Sequence, residues 1–301
     1  MVDTSDEWIL SRTGIRERRI AADDEFTSDM GAAAARQALE LGGINPKDID
    51  LIIVATCTPD TVFPSTACYI QQKIGATRAA AFDVQAACSG FLYALVTASQ
   101  FISSGVYKTI LVIGAEKLSS IVNWQDRNTC VLFGDGAGAV VLQHRPGARG
   151  LLAFDLGADG SQTEILSVPA SGCRVPITPA VLDQRLQFLQ MSGKEVFKYA
   201  VNAMNRSSEI CLENAGCKPD QIRWFIPHQA NQRIVDAVAT RMNVGLDRFV
   251  INLERYGNTS AACMPIALHE TSMLGKFNRG DLLLMVSFGG GLTWASTVLE
   301  W

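Results

Sequence analysis

The sequence predicts an α/β fold built from two similar halves. Three observations carry this expectation. Short continuous apolar runs alternate with helix-forming stretches along the whole chain, the pattern of buried strands with covering helices. The 301 residues are 48% apolar and 19% charged, enough for a large packed core and far from the balance of a disordered chain. Finally, part of the first half recurs in the second. Gly43-Ile44-Asn45-Pro46-Lys47-Asp48-Ile49-Asp50-Leu51-Ile52-Ile53 resembles the stretch from Gly216 to Ile226, at an offset of 173 residues. Ala94-Leu95 falls on Ala267-Leu268 at the same offset, and Ile110-Leu111-Val112 falls on Leu282-Leu283-Leu284 at 172. A period this long marks a duplicated domain, not a solenoid. The junction is placed in QHRPGARG, giving halves 1–145 and 146–301.

Thr27 to Leu41 is rich in alanine and good helix formers, with Thr27 or Ser28 as the expected N-cap and Gly42-Gly43 as the stop. Leu51–Ala55 reads as a strand buried on both faces. Ala80–Val84 is a second strand, leading through small residues into a helical pattern that begins near Cys88. Ile110–Ile113 and Leu282–Val286 are further buried strands, and Thr293–Leu299 follows a glycine-rich turn as another. Gly193–Asn214 reads as a long helix closed by Ala215-Gly216.

The net charge is −4 and the isoelectric point about 5.5, which argues against a nucleic-acid binder. No run is long and apolar enough for a membrane span, and the acidic start lacks a signal-peptide core. The chain therefore reads as cytoplasmic. Its eight cysteines are scattered without CxxC pairs and are expected to be free thiols, mostly buried. With three histidines and no zinc-ligand spacing, no metal site is expected. Phe133-Gly134-Asp135-Gly136-Ala137-Gly138 does not match GxGxxG, and no Walker A sequence is present, so a nucleotide fold of either kind is a poor reading.

Four segments hold residues suited to chemistry. In Ala86-Ala87-Cys88-Ser89-Gly90, a cysteine sits where a strand gives way to a helix. The unpaired N–H groups and dipole there favour a thiolate and a lowered thiol pKa. In Pro227-His228-Gln229-Ala230-Asn231, a histidine directly follows a strand and precedes a helix. The duplication brings both positions to strand C-terminal ends, where α/β sheets place ligands. Tyr256-Gly257-Asn258-Thr259-Ser260 is a turn of small residues that reads equally as a structural Asx turn or as an amide donor beside a reacting oxygen. Phe288-Gly289-Gly290-Gly291 lets backbone N–H groups approach a ligand closely, as an oxyanion hole requires.

Taken together and in this order, ACSGF, PHQAN, GNTSAA and FGGG, with the opening DTSDEWILSRTGIRERRIA, resemble the β-ketoacyl-acyl-carrier-protein synthase III family. The resemblance covers essentially the whole chain. It implies the thiolase fold, two duplicated α/β halves in five αβαβα layers. It also implies an acyltransferase that condenses a short acyl-CoA, in the first instance acetyl-CoA, with malonyl-acyl carrier protein, releasing CoA and CO2 and starting fatty acid synthesis. No metal, nucleotide or redox cofactor is implied. The alternatives are a relative from a polyketide or specialised pathway with another starter, or a silent CoA-binding relative.

Residue by residue, the resemblance assigns Cys88 as the acylated nucleophile, His228 and Asn258 as hydrogen-bond donors in the decarboxylation, and the N–H groups of Cys88 and Gly290 as the oxyanion hole. Trp8 and Arg127 match a pair that sandwiches adenine, and Thr4, Arg12, Gly193, Phe197 and Asn231 match positions along the rest of CoA. Phe133 and Phe288 match the acyl pocket, as does Phe63, reaching across a homodimer into the partner's pocket. Lys194, Lys198, Arg233 and Arg241 suggest a positive patch for an acidic carrier protein. Relatives carry a further segment ahead of this opening, forming a first strand and its turn. The resemblance therefore predicts either a misassigned start or a first half without a central strand, exposing two neighbouring strands and lowering stability.

Overall fold

The computed structural model describes residues 2–301. Helix α1 (Asp6–Thr13) is capped by the Ser5 hydroxyl, which accepts from the Trp8 N–H at 3.2 Å. In the first half, α2 (Thr27–Gly42) precedes β1 (Leu51–Ala55), then α3 (Thr66–Ile74), β2 (Ala80–Val84), α4 (Gly90–Ser103), β3 (Thr109–Glu116), the short α5 (Arg127–Cys130) and β4 (Gly136–Gln143). The rest begins with β5 (Leu151–Ala158), the two-residue strands β6 (Leu166–Ser167) and β7 (Gln190–Met191) flanking the short α6 (Pro179–Asp183), and the long α7 (Gly193–Ala215). It ends with β8 (Trp224–Pro227), α8 (Gln232–Met242), α9 (Leu253–Tyr256), α10 (Cys263–Met273), β9 (Leu282–Gly289) and β10 (Thr293–Glu300). Among the described residues, no helix is long and apolar enough to cross a membrane.

Two four-stranded sheets form, ordered β2-β1-β3-β4 and β5-β10-β9-β8. Alternation along β1 shows why five layers result. Leu51, Ile53 and Ala55 face a core shared with Phe91, Leu92 and Leu95 of α4 and with Cys263, Met264 and Ala267 of α10. Ile226, Leu283 and Met285 of the second sheet join that same core, so α4 and α10 fill the space between the sheets. Ile52 and Val54 point the other way, against Ala35 and Leu39 of α2 and Ile70 of α3. On the outside of the second sheet, Leu284 and Val286 meet Met204 of α7 and Val235 and Val238 of α8. A strand buried on both faces favours apolar residues at successive positions, which is why Leu51–Ala55 of β1 and Ile110–Ile113 of β3 read as uninterrupted apolar runs.

The duplication extends to backbone detail. The left-handed C-caps Gly43 (φ 62°) and Gly216 (φ 64°) occupy equivalent places, and so do the left-handed Ala87 (φ 46°) and Ser260 (φ 48°) ahead of α4 and α10.

Three expectations are corrected. The N-cap of α2 is Phe26, not Thr27 or Ser28; Thr27 Oγ1 donates to Thr58 O at 2.6 Å and Ser28 Oγ donates to Asp60 at 2.7 Å. The cysteines are free, but only Cys88, Cys130, Cys211 and Cys263 are buried; Cys68 and Cys173 are exposed. The first sheet runs unbroken from β2 to β4, with no central gap between two neighbours. What lies open is the outer edge of β4, beside a groove of about 1660 Å³ that α2 and α10 also line. The matching edge of β10 is covered by β5.

Candidate active site

A second cavity, about 880 Å³, opens at the C-terminal ends of the parallel strands. Cys88, His228, Asn258 and Gly290 all line it, as do Phe133 and Phe288. Its size and mostly apolar wall suit a small-molecule site.

Cys88 is buried in a single tight turn (Ala87–Ser89) that runs straight into α4. The expected lowering of its pKa does not occur. Burial pushes the thiol up to about 12. Its backbone is crowded by the FGGG turn: a Cβ added to Gly289 would lie 2.6 Å from the Cys88 nitrogen, and one added to Gly290 2.8 Å from the Leu166 carbonyl oxygen. Only glycine allows these main chains to approach so closely.

His228 follows β8, and its N–H donates to Val286 O at 2.8 Å. Burial lowers its pKa to about 4, so the ring is neutral at pH 7. Its Nδ1 lies 3.0 Å from the Cys263 sulfur. Burial raises the Cys263 thiol pKa, so the thiol keeps its proton. It can donate to Nδ1 in the tautomer that carries the ring proton on Nε2, the arrangement that leaves Nε2–H for the cavity. Gln229 brackets this loop. Its side chain donates to Pro227 O and Val250 O at 2.8 and 3.1 Å and accepts from the N–H groups of Asn252 and Leu253 at 3.1 and 3.2 Å.

Asn258 Oδ1 accepts from the Ser260 N–H at 2.9 Å, which leaves its amide NH2 to face the cavity. Its backbone is fixed from both sides, by Leu132 O at 2.8 Å and the Gly134 N–H at 3.0 Å.

Trp8, Arg12, Arg127, Gly193, Phe197 and Asn231 line the outer part of the same cavity. The Arg127 guanidinium stacks on Trp8, 4.7 Å from its ring centroid, so a flat base entering between them must part them. Asn231 caps α8, accepting from the Arg233 N–H at 3.0 Å, and its amide reaches Arg12 O at 3.3 Å. Lys194 and Arg233 also line the cavity, whereas Thr4, Lys198 and Arg241 do not; Arg241 instead donates to Asn202 Oδ1 at 2.6 Å. Phe63 is 84% exposed and belongs to none of the packed cores. Sequence reasoning missed Cys57, Gln85, Leu166, Met191, Met204 and Ser260, all of which line the cavity. Their role comes from distant partners, and only Ser260, inside GNTSAA, carried a local signal.

Two duplicated halves around a shared helical layer, with one pocket at the strand ends, define a thiolase-fold acyl-transferring condensing enzyme. Two family descriptions match, 3-oxoacyl-(acyl-carrier-protein) synthase III over residues 82–160 and its C-terminal counterpart over residues 212–301. A β-ketoacyl-(acyl-carrier-protein) synthase III of Roseiflexus sp. (strain RS-1) is 52% identical across all 301 residues, covering 92% of that protein. The enzyme of the same name from Geobacillus kaustophilus is also 52% identical, again over the whole chain and 92% of the relative. The crystal structure of 3-oxoacyl-(acyl-carrier-protein) synthase III from Aquifex aeolicus superposes with a TM-score of 0.92 at 49% identity, covering all of this chain and 92% of that one. The chain belongs to the β-ketoacyl-acyl-carrier-protein synthase III family.

Proposed function

We propose that this chain condenses a short acyl-CoA with malonyl-acyl carrier protein to give a 3-oxoacyl-acyl carrier protein, CoA and CO2, the initiating step of fatty acid synthesis. The observation that carries this reading is the meeting of Cys88, His228 and Asn258 on one cavity that runs outward past Trp8 and Arg127. Cys88 attacks the acyl-CoA thioester, and the N–H groups of Cys88 and Gly290 hold the tetrahedral oxyanion. Splitting the condensation through an acyl-enzyme replaces one hard step with two easier ones. Malonyl-acyl carrier protein then enters. The His228 Nε2–H and the Asn258 amide donate to its thioester oxygen, where charge builds as CO2 departs. The resulting carbanion attacks the acyl carbon and expels the Cys88 thiolate. A neutral histidine suits this role, since it gives a hydrogen bond without surrendering its proton.

CoA lies along Trp8, Arg12, Arg127, Gly193, Phe197 and Asn231, with Thr4 near the nucleotide end. Phe133 and Phe288 wall the acyl pocket. Lys194 and Arg233 at the cavity, with Lys198 and Arg241 on the surface beyond, receive the acidic carrier protein. The exposed Phe63 supports a homodimer in which it completes the partner's pocket. The halves divide at residue 145, between β4 and β5. Free thiols suit a reducing cytoplasm.

The test is intact-protein mass spectrometry after incubation with a panel of acyl-CoAs, beside Cys88→Ala. An acyl-sized gain in the native chain alone supports the reading and names the starter. No gain with any acyl-CoA overturns it.

A further inference from the structure

Two polar side chains that do not line the cavity, Gln229 and Glu270, converge on α9. A helix of one turn does not support itself, because nucleation costs more than its few hydrogen bonds return. It must be held from outside. Gln229 holds its start: Oε1 accepts from the N–H groups of Asn252 and Leu253, while Nε2 donates to Pro227 O, next to His228. Its end runs through Gly257 into Asn258. Gly257 has φ 66° and ψ −158°, a conformation open essentially to glycine alone. The placement of α9 therefore sets where His228 and Asn258 stand relative to each other.

Glu270, on α10, takes hold of this turn at three residues. Oε1 accepts from Arg255 Nη1 at 2.8 Å and from the Tyr256 hydroxyl at 2.6 Å. Oε2 accepts from Arg255 Nη2 at 2.8 Å and from Asn252 Nδ2 at 2.9 Å. Each carboxylate oxygen is thus used twice, and Arg255 binds in the bidentate fork that fixes orientation as well as distance. A simple surface ion pair would contribute little. Here the Glu270 side chain is only 20% exposed, and two of its three partners are neutral. Burial pushes the Glu270 carboxyl up, but the hydrogen bonds from Tyr256, Asn252 and Arg255 outweigh it and leave the pKa below its ordinary value. Glu270 lies two helical turns along α10 from Cys263, whose sulfur is 3.0 Å from His228 Nδ1. One face of α10 thus backs His228 directly and Asn258 through α9. Met264, Ala267 and Leu268 fix that helix in the central core.

Cys88 is anchored elsewhere. Ser89 Oγ donates to Thr293 O at 3.2 Å, and Thr293 Oγ1 donates to Ala86 O at 2.9 Å. Together with the close approach of Gly289, these contacts tie the nucleophile to the turn between β9 and β10.

We propose that Glu270, with Gln229, is a positioning residue that holds His228 and Asn258 at the spacing decarboxylation requires, and that it serves this half-reaction alone. Two donors aimed at one oxygen work only within a narrow window of distance and angle. In Glu270→Gln an amide NH2 replaces one oxygen and faces the donors that oxygen had accepted. α9 must then shift, and Asn258 with it. Cys88 keeps all of its contacts.

This rests on Cys88 being acylated and on His228 and Asn258 serving the malonyl step, and the experiment separates the claims. Acylation by acetyl-CoA is followed by rapid quench and intact mass. Isolated acetyl-enzyme is then mixed with malonyl-acyl carrier protein over a range of concentrations, and CO2 release is timed in a single turnover. The unaltered chain, Glu270→Gln, Tyr256→Phe and His228→Ala are compared, each with a thermal melt. At saturating carrier protein, Glu270→Gln is expected to slow CO2 release about 100-fold and Tyr256→Phe about 5-fold, with the half-saturating concentration unchanged. Acylation should stay within about 2-fold of the unaltered rate in both. Tyr256→Phe removes one hydroxyl and no charge, so it decides the matter if Glu270→Gln does not fold. In a folded variant, equal losses in the two half-reactions, or an unchanged CO2 release, overturn the positioning role alone. An unaltered chain that takes no acyl group on Cys88, or CO2 release at the full rate in His228→Ala, overturns the reading of the reaction and this proposal with it.

Discussion

Gly289→Ala tests how tightly the FGGG turn is held against the nucleophile. The added methyl would meet three atoms of Cys88: the nitrogen at 2.6 Å, and Cα and Cβ at 3.2 Å. Two of these are main chain, so no rotamer change relieves the clash. To reach the 3.4 Å at which ordinary contact begins, one backbone must retreat by about 0.8 Å. An oxyanion hole works only with donors about 2.7–3.1 Å from the developing charge, a window narrower than that retreat. Losing one such donor costs roughly 100- to 1000-fold in rate. Overpacking should cost a further ~1–3 kcal/mol of stability. Gly160→Ala serves as the control, since its Cβ would meet nothing within 4 Å. The assay is single-turnover acylation of Cys88 by acetyl-CoA, with a thermal melt of each variant. Acylation of Gly289→Ala at the rate of Gly160→Ala, with the same Tm, would refute both the packing argument and the oxyanion assignment.

Three further outcomes are expected. Cys263→Ala removes the hydrogen-bond partner of His228 Nδ1, so malonyl-acyl carrier protein decarboxylation should fall about 10-fold while Cys263→Ser, whose hydroxyl can still pair with Nδ1, retains most of it; equal losses in both variants would show that packing alone is at stake. His228 has a folded pKa near 4, below its unfolded value of about 6.5. The unfolded chain therefore binds the extra proton first, and stability is lost as pH falls from about 6.5 to about 4; the loss of Tm over that window should be smaller in His228→Phe. Exchanging Arg233 and Lys198 for Glu should raise the carrier-protein KM and spare that of acetyl-CoA, and an equal effect on both substrates would remove the carrier patch from the scheme.

What was legible in the sequence follows from how local each signal is. β1 could be read because a strand buried on both faces leaves five consecutive apolar residues, Leu51–Ala55. Cys88 and His228 stood out because each breaks its local pattern at a strand end. Glu116, the wholly buried carboxylate that ends β3, did not, because a carboxylate after an apolar run looks like the first surface residue, and the donors it accepts from, Thr56, Cys57 and Thr58, lie about sixty positions away. The cap of α2 was misplaced for a similar reason: Thr27 and Ser28 have the right chemistry but spend it on Thr58 and Asp60. The Cys88 pKa was misjudged because helix-terminus effects can be read from sequence order, whereas depth beneath the surface cannot.

The helices that follow Cys88 and Asn258 are enclosed between two sheets. Amide protons there exchange only when the sheets part, that is, close to global unfolding. Cys88 and Asn258 are thus expected to adjoin the slowest-exchanging part of the molecule. Heat should not produce a folded but locally melted, inactive state: loss of chemistry and loss of structure share one transition.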